Sequence, residues 1–169
     1  MKKLILGLFL VMAVSAINAQ DVRRTFGVGL QSSFPSFGIS AKYAITEQSV
    51  VQATIAPFGA SSDGGSVSMN FYGLRYIHRF PDSDQKSVSF DPYLFAGGGL
   101  INYKTNFTAF GGGTTSDNMF GYSVGGGVEA ILGGKFGLSA EIGYGRMSFS
   151  GGVAANGILV GGGLHFYIN

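Results

Sequence analysis

The chain has 169 residues, no cysteine and 14% aromatic residues, and only 12% of its residues are charged. A soluble domain carries about 25% charged residues. The absence of cysteine excludes disulfides, thiolate metal sites, a cysteine nucleophile and a lipid-modified cysteine. The formal charge of +2 becomes zero without Lys2 and Lys3, so charge gives no support for a nucleic-acid partner.

Residues 1–19 have the features of a secretory signal peptide. Lys2 and Lys3 form a positive start, and an apolar run from Leu4 to Ala16 follows. This run is shorter than the ~20 residues that a membrane-spanning helix needs. Small residues then lead to Ala19, which fits the last position before a cleavage site. An uncleaved anchor is the alternative. We expect cleavage after Ala19, which leaves residues 20–169 as one domain.

The remaining sequence alternates apolar and small or polar residues with a period of two, which predicts β-strands. The clearest hairpin consists of residues 119–132 and 136–148, joined by the turn Gly133-Gly134-Lys135. Eight strands are predicted in total: 22–32, 37–46, 49–58, 67–80, 92–104, 119–132, 136–148 and 158–168. High hydrophobicity without a helix-length apolar run is typical of an eight-stranded antiparallel up-and-down transmembrane β-barrel.

In such a barrel one face of each strand contacts lipid and the other faces the lumen. On the last strand, Ile158, Val160, Leu164, Phe166 and Ile168 share the predicted lipid face, and His165 and Tyr167 lie on the other. The strand 92–104 is ambiguous because both of its faces are apolar or glycine. The pattern slightly favours lipid contact for Tyr93, Phe95, Ile101 and Tyr103.

The predicted connections differ in length. Segments 59–66, 105–118 and 149–157 are long and rich in Gly, Ser, Thr and Asn, as expected of outer loops. The segment Ser33–Ser36 is a short outer loop, and Pro81–Asp91 is a long inner turn. Phe and Tyr residues near the strand ends predict aromatic girdles at both membrane surfaces.

Charged residues fall on predicted lumen faces at similar depth, and they form one candidate cluster: Lys42, Arg75, Arg79, Glu129 and Glu141. Isolated buried charges are costly, so we expect these to pair, with Arg75 or Lys42 reaching between the two glutamates. Paired carboxylates can also perform acid–base catalysis. The accompanying cations favour a structural plug instead, and we expect no enzyme activity and no cofactor.

The two histidines, His78 and His165, lie near the inner strand ends. Neither is close in sequence to a carboxylate or thiol on the same strand, which makes a metal site a weak hypothesis. A lipid-modifying enzyme would need a nucleophile or base at the outer rim, where neither histidine lies. The chain contains 29 glycines, many of them inside predicted strands. These glycines do not precede a helix, so they do not indicate a phosphate-binding loop.

The sequence resembles the OmpX/OmpA-like small barrels of bacterial outer membranes in three features. These are the C-terminal residues Gly163-Leu-His-Phe166-Tyr-Ile168, the set of Glu, Lys and Arg residues predicted in the lumen, and Asp91-Pro92-Tyr93 before a Gly-rich strand. The resemblance implies that Gly163, Phe166 and Ile168 form an insertion signal read by the barrel-assembly machinery. Asn169 follows where many relatives end on an aromatic residue. The resemblance also implies residence in the bacterial outer membrane, in contact with its lipid.

The function expected from the sequence is a structural or surface-interaction role through the outer loops, with a ligand that the sequence does not identify. A narrow pore for small solutes is the alternative, although side chains fill an eight-stranded barrel. A lipid-modifying outer-membrane enzyme is a less favoured one. A soluble ligand-binding barrel is the main architectural rival, but its lumen should be apolar where this chain carries Arg75, Glu129 and Glu141.

Overall fold

The computed structural model describes residues 24–81, 87–107, 113–150 and 152–168. Its eight strands are β1 (Phe26–Ser33), β2 (Ser36–Ala44), β3 (Ser49–Ser62), β4 (Gly65–Arg79), β5 (Val88–Phe107), β6 (Thr114–Leu132), β7 (Phe136–Ser148) and β8 (Ala154–Ile168). Each strand pairs antiparallel with the next, and β8 pairs with β1, which closes the barrel. The predicted eight-stranded up-and-down barrel is confirmed. The predicted signal peptide, residues 1–19, lies outside the described residues.

The strands place most large apolar side chains on the outside of the barrel and most charged ones inside, together with a small buried apolar cluster that includes Val50, Ile77 and Phe95. Leu74 and Ile142 are 60% and 63% exposed, whereas Arg75 and Glu141 beside them are buried. This is the reverse of a water-soluble barrel, in which the interior is apolar. The predicted faces of the last strand are correct, because Leu164, Phe166 and Ile168 point outwards and His165 and Tyr167 point inwards. Among the described residues, no helix is long and apolar enough to cross a membrane.

The predicted orientation of the fifth strand is wrong. Tyr93, Phe95 and Ile101 are 3–4% exposed and face the lumen, Tyr103 is half-buried on the same side, and Leu94 and Leu100 face outwards. The register explains the result, because β6 places Gly127 opposite Tyr93 and Gly125 opposite Phe95. A Cβ atom at either glycine would lie 2.7 Å from the facing ring. Glycines on β6 therefore make the room that these two aromatic side chains need inside the barrel.

Two of the predicted outer loops are largely strand. Segment 59–66 is the tip of the β3–β4 hairpin, and strand pairing in β5–β6 extends to Asn106 and Thr114. The barrel wall is uneven as a result, since β1 and β2 have 8 and 9 residues while β5 and β6 have 20 and 19. We call the end at which β1 starts and β8 finishes the lower end, and the opposite end the upper end.

Candidate functional site

The lower lumen contains two buried ion pairs. In the first, Arg75 on β4 donates from Nη1 and Nη2 to the two carboxylate oxygens of Glu141 on β7, at 2.8 and 2.6 Å. Tyr93 donates its hydroxyl to Glu141 Oε1 at 2.6 Å, and Arg75 Nε donates to Gln52 Oε1 at 2.6 Å. The Arg75 guanidinium also lies 4.9 Å from the centre of the Phe95 ring. Charge, hydrogen bonds and an aromatic face thus all hold Arg75 in one position.

The second ion pair joins Lys42 on β2 to Glu129 on β6, with Nζ 2.9 Å from Oε1. Tyr167 donates its hydroxyl to the other oxygen of Glu129 at 2.7 Å. Lys42 and Glu129 are 87 residues apart, and they meet because the barrel brings β2 and β6 to opposite sides of a narrow lumen. Each glutamate therefore has its own cation, whereas the sequence pattern predicted one cation between both.

Gln52 extends the Arg75–Glu141 pair by hydrogen bonds toward His165, which lies beside the second ion pair. Gln52 is fully buried, and its amide nitrogen lies 2.5 Å from Ser40 Oγ and 3.3 Å from His165 Nε2. His165 in turn lies 3.8 Å from Glu129. Sequence reasoning missed Gln52 and Tyr93 as members of this network. Gln52 could have been found, because it is a polar residue on the predicted lumen face of β3. Tyr93 could not, because it was predicted to face lipid.

Arg79 lies lower than the two ion pairs. Its Nε donates to the backbone carbonyl of Glu47 at 3.2 Å, at the lower end of the barrel. Nearby, Arg24 forms a 2.6 Å ion pair with Asp91, a fully buried carboxylate that was not among the residues of the predicted charge cluster. The structure thus brings four of the five predicted charged residues into one network and places Arg79 at its lower boundary.

These contacts determine what the site can do chemically. Both oxygens of Glu141 accept hydrogen bonds from Arg75, and the oxygens of Glu129 accept from Lys42 and Tyr167. A carboxylate engaged in this way is a stable ion-pair partner and a poor proton acceptor. Within the described ranges, no group of three or more His, Cys, Asp or Glu side chains is placed to hold a metal ion. The arrangement suits a rigid plug.

The upper lumen is filled differently, by the tip of the β1–β2 hairpin. Pro35 is fully buried, and inward-facing glycines of the surrounding strands lie against the tip. A Cβ atom at Gly99 on β5 would lie 2.9 Å from Pro35 Cβ, and one at Gly73 on β4 would lie 2.9 Å from Ser36 Cα. Gly121 on β6 faces the ring of Phe34. The segment predicted as a short outer loop therefore folds into the barrel and occupies its centre.

The predicted C-terminal signal residues lie on β8 beside β1. Phe166 and Ile168 are 39% and 51% exposed on the exterior, opposite Val28 and Phe26 in the register. The Phe166 ring also packs edge-on against Phe136, with 5.1 Å between centroids. Gly163 faces the lumen, where a Cβ atom would lie 2.5 Å from the Gln31 side chain.

No family model matches the chain, and no curated protein sequence matches it either. The solved structures that share its fold include two outer-membrane barrels. The N-terminal β-barrel domain of Pseudomonas aeruginosa OprF is 18% identical, with a TM-score of 0.54 over 85% of this chain and 95% of that domain. Neisserial surface protein A is 17% identical, with a TM-score of 0.54 over 85% and 93% of the two chains. The chain therefore has the fold of the small eight-stranded outer-membrane β-barrels.

Proposed function

We propose that this protein is an integral barrel of the bacterial outer membrane with a closed lumen, and that it acts structurally or through its upper hairpins at the cell surface. The apolar exterior supports insertion into lipid. The likeness to OprF and to a neisserial surface protein supports the same location. The upper hairpins of β3–β4, β5–β6 and β7–β8 are the parts that would reach a surface ligand.

The observation that carries this proposal is the double closure of the lumen. The ion pairs Arg75–Glu141 and Lys42–Glu129 occupy its lower part, and the buried Pro35 of the hairpin tip occupies its upper part. Both obstructions are covalently part of the wall and are held by contacts on several strands. A continuous water path for solutes would require both to move, which opposes the pore alternative.

Planar-bilayer recording tests the closure. The folded protein should give no stepwise conductance, and its folded state should be verified by different gel migration before and after boiling, because a closed barrel resists detergent. Regular conductance steps from heat-modifiable protein would favour the narrow pore. A changed lipid mass profile in cells that lack the protein would instead favour a lipid-modifying enzyme.

The proposal includes export with removal of residues 1–19. Intact mass of the protein purified from outer-membrane fractions should correspond to a chain starting at Gln20. A mass that retains residues 1–19 would contradict the cleaved signal peptide, and recovery in the soluble fraction would contradict the location.

We also propose that Gly163, Phe166 and Ile168 are recognised by the barrel-assembly machinery. Phe136 provides a matched control, because it packs against Phe166 at the same exterior girdle. Phe166→Ala and Phe136→Ala should refold into vesicles with similar yields, since each removes one partner of the same ring pair. In cells, Phe166→Ala should accumulate less folded protein than Phe136→Ala. Equal amounts of folded Phe166→Ala and Phe136→Ala protein in cells would contradict recognition of Phe166 by the assembly machinery.

A further inference from the structure

The barrel wall is low at the β1–β2 hairpin. The pairing of β2 with β3 ends at Ile39 and Ile55, and the pairing of β1 with β8 ends at Ser32 and Gly162. Above these points β3 continues to Ser62, and β8 begins at Ala154. Within the described ranges, no strand pairs with these extensions on the side facing the hairpin. We call this gap between β3 and β8 the low wall.

An apolar groove of about 610 Å³ lies on the exterior of the low wall. Four neighbouring side chains line its lower border, in the order Leu164, Leu30, Ile39 and Ile55. Each of them is the register partner of the next on the adjacent strand. Small residues, Ser32, Gly38 and Gly162, make the groove concave above this row. Its volume is within the ~300–1,000 Å³ of small-molecule sites.

Phe37 and Phe58 line the upper part of the groove, and Phe71 packs against both of them. Phe37 lies 5.7 Å from both Phe58 and Phe71, and Phe58 lies 5.9 Å from Phe71, measured between ring centroids. Phe37 belongs to the exterior face of β2. Phe58 and Phe71 occupy the strand positions that face the lumen, yet Phe58 is 51% exposed because the hairpin ends below it. The cluster therefore joins the exterior groove to the inner surface across the top of the low wall.

We propose that this groove binds an acyl chain of a membrane lipid, an inference that rests on the proposed membrane location. Ser33, where β1 ends, is seven residues above Phe26. At ~3.3 Å per residue and a tilt of ~40°, the wall there rises only ~18 Å. The apolar band of such barrels is ~25 Å tall. The groove and the Phe37–Phe58–Phe71 cluster thus lie at the level of the hydrocarbon chains.

Pro57 favours a lipid chain over an added protein strand as the occupant. It lies on the free edge of β3 beside the groove, and proline brings no N–H to such an edge. An edge proline is a common device against pairing with another strand. It also removes one backbone donor that hydrocarbon could not satisfy.

A tryptophan reporter tests the groove, because the chain contains no tryptophan. Phe58→Trp places the reporter in the groove, and Phe120→Trp is the matched control, since both phenylalanines are 51% exposed and Phe120 lies on β6. The probe is phosphatidylcholine with dibrominated acyl chains, titrated into each protein in dodecyl maltoside micelles. Quenching of Phe58→Trp should saturate near one lipid per protein, at a severalfold lower lipid-to-detergent ratio than quenching of Phe120→Trp.

Adding Ser32→Phe, which fills the groove from the exterior of β1, should abolish the saturable quenching. Ala96→Phe on the exterior of β5 should leave it unchanged. The proposal that the groove binds an acyl chain would be wrong if the two reporters were quenched in parallel, or if Ser32→Phe had no effect on the quenching. A dimer whose interface shields the Phe58→Trp reporter from lipid would also contradict the proposal. Transfer into vesicles made wholly of the brominated lipid should quench Phe120→Trp, and an unquenched control there would overturn the proposed membrane location itself.

Discussion

The lower lumen is occupied by long polar side chains, whereas the upper lumen is occupied by a piece of backbone, Ser33–Ser36. In the lower part, charges on β2, β4, β6 and β7 reach across the space and neutralise each other. In the upper part, the strands supply glycines, such as Gly73 and Gly99, and the hairpin tip fills the room they leave. The comparison shows two ways to close a narrow barrel. One depends on electrostatic pairing between side chains, and the other depends on glycines in the wall that leave room for a hairpin tip.

The largest expected effect is in the lower lumen. Arg75→Ala leaves Glu141 buried without its cation, which should reduce the free energy of unfolding by about 3–5 kcal/mol. Removing Arg75 and Glu141 together should cost less than the sum of the single losses, by about 0.5–3 kcal/mol. Urea unfolding in lipid vesicles measures both quantities. Lys135→Ala, in an exposed turn, is the control. Additive losses would show that the two charges are separately hydrated.

A smaller effect is expected from the hydroxyl of Tyr93. Tyr93→Phe keeps the ring in the lumen but removes a 2.6 Å hydrogen bond to Glu141, and bonds to charged groups contribute about 1.5–3 kcal/mol. Tyr72→Phe is the matched control, because Tyr72 is 44% exposed on the exterior, and its loss should stay within about 0.5 kcal/mol. The same urea experiment applies. A Tyr93→Phe variant as stable as the parent would mean that water replaces the hydroxyl.

The smallest of the three effects concerns the upper lumen and compares two neighbouring glycines. Gly99→Val places a branched side chain against Pro35 and the backbone of Tyr72, and overpacking of this kind costs about 1–3 kcal/mol. A Cβ atom at Gly98 points outwards and meets nothing closer than 3.3 Å. Gly98→Val should therefore lose clearly less stability than Gly99→Val, since valine favours strands and the Gly121 carbonyl needs to shift by only a few tenths of an ångström. Equal losses for the two variants would mean that the hairpin tip does not depend on its glycine surroundings.

The same residues separate what could be predicted from the sequence and what could not. For β2, β7 and β8 the exterior and lumen faces follow from alternation, because each strand has one apolar face and one polar or small face. Lys42 on β2, Arg75 on β4, Glu129 on β6 and Glu141 on β7 were predicted to lie in the lumen because each alternates with outward-facing residues along its strand. On β5 both faces are apolar or glycine, so period-two alternation carries no information, and the choice depends on which neighbour offers space.

Sequence alone therefore determined the class of fold, the number of strands and the lumen positions of the main charges, since these depend on local periodicity and on the cost of burying polar groups. Tertiary structure decided the orientation of β5, the pairing of Arg75 with Glu141 and of Lys42 with Glu129, and the entry of Phe34 and Pro35 into the barrel. Each of these depends on the register between strands far apart in the chain. A shift of one residue exchanges the two faces of a strand, and no local pattern specifies that register.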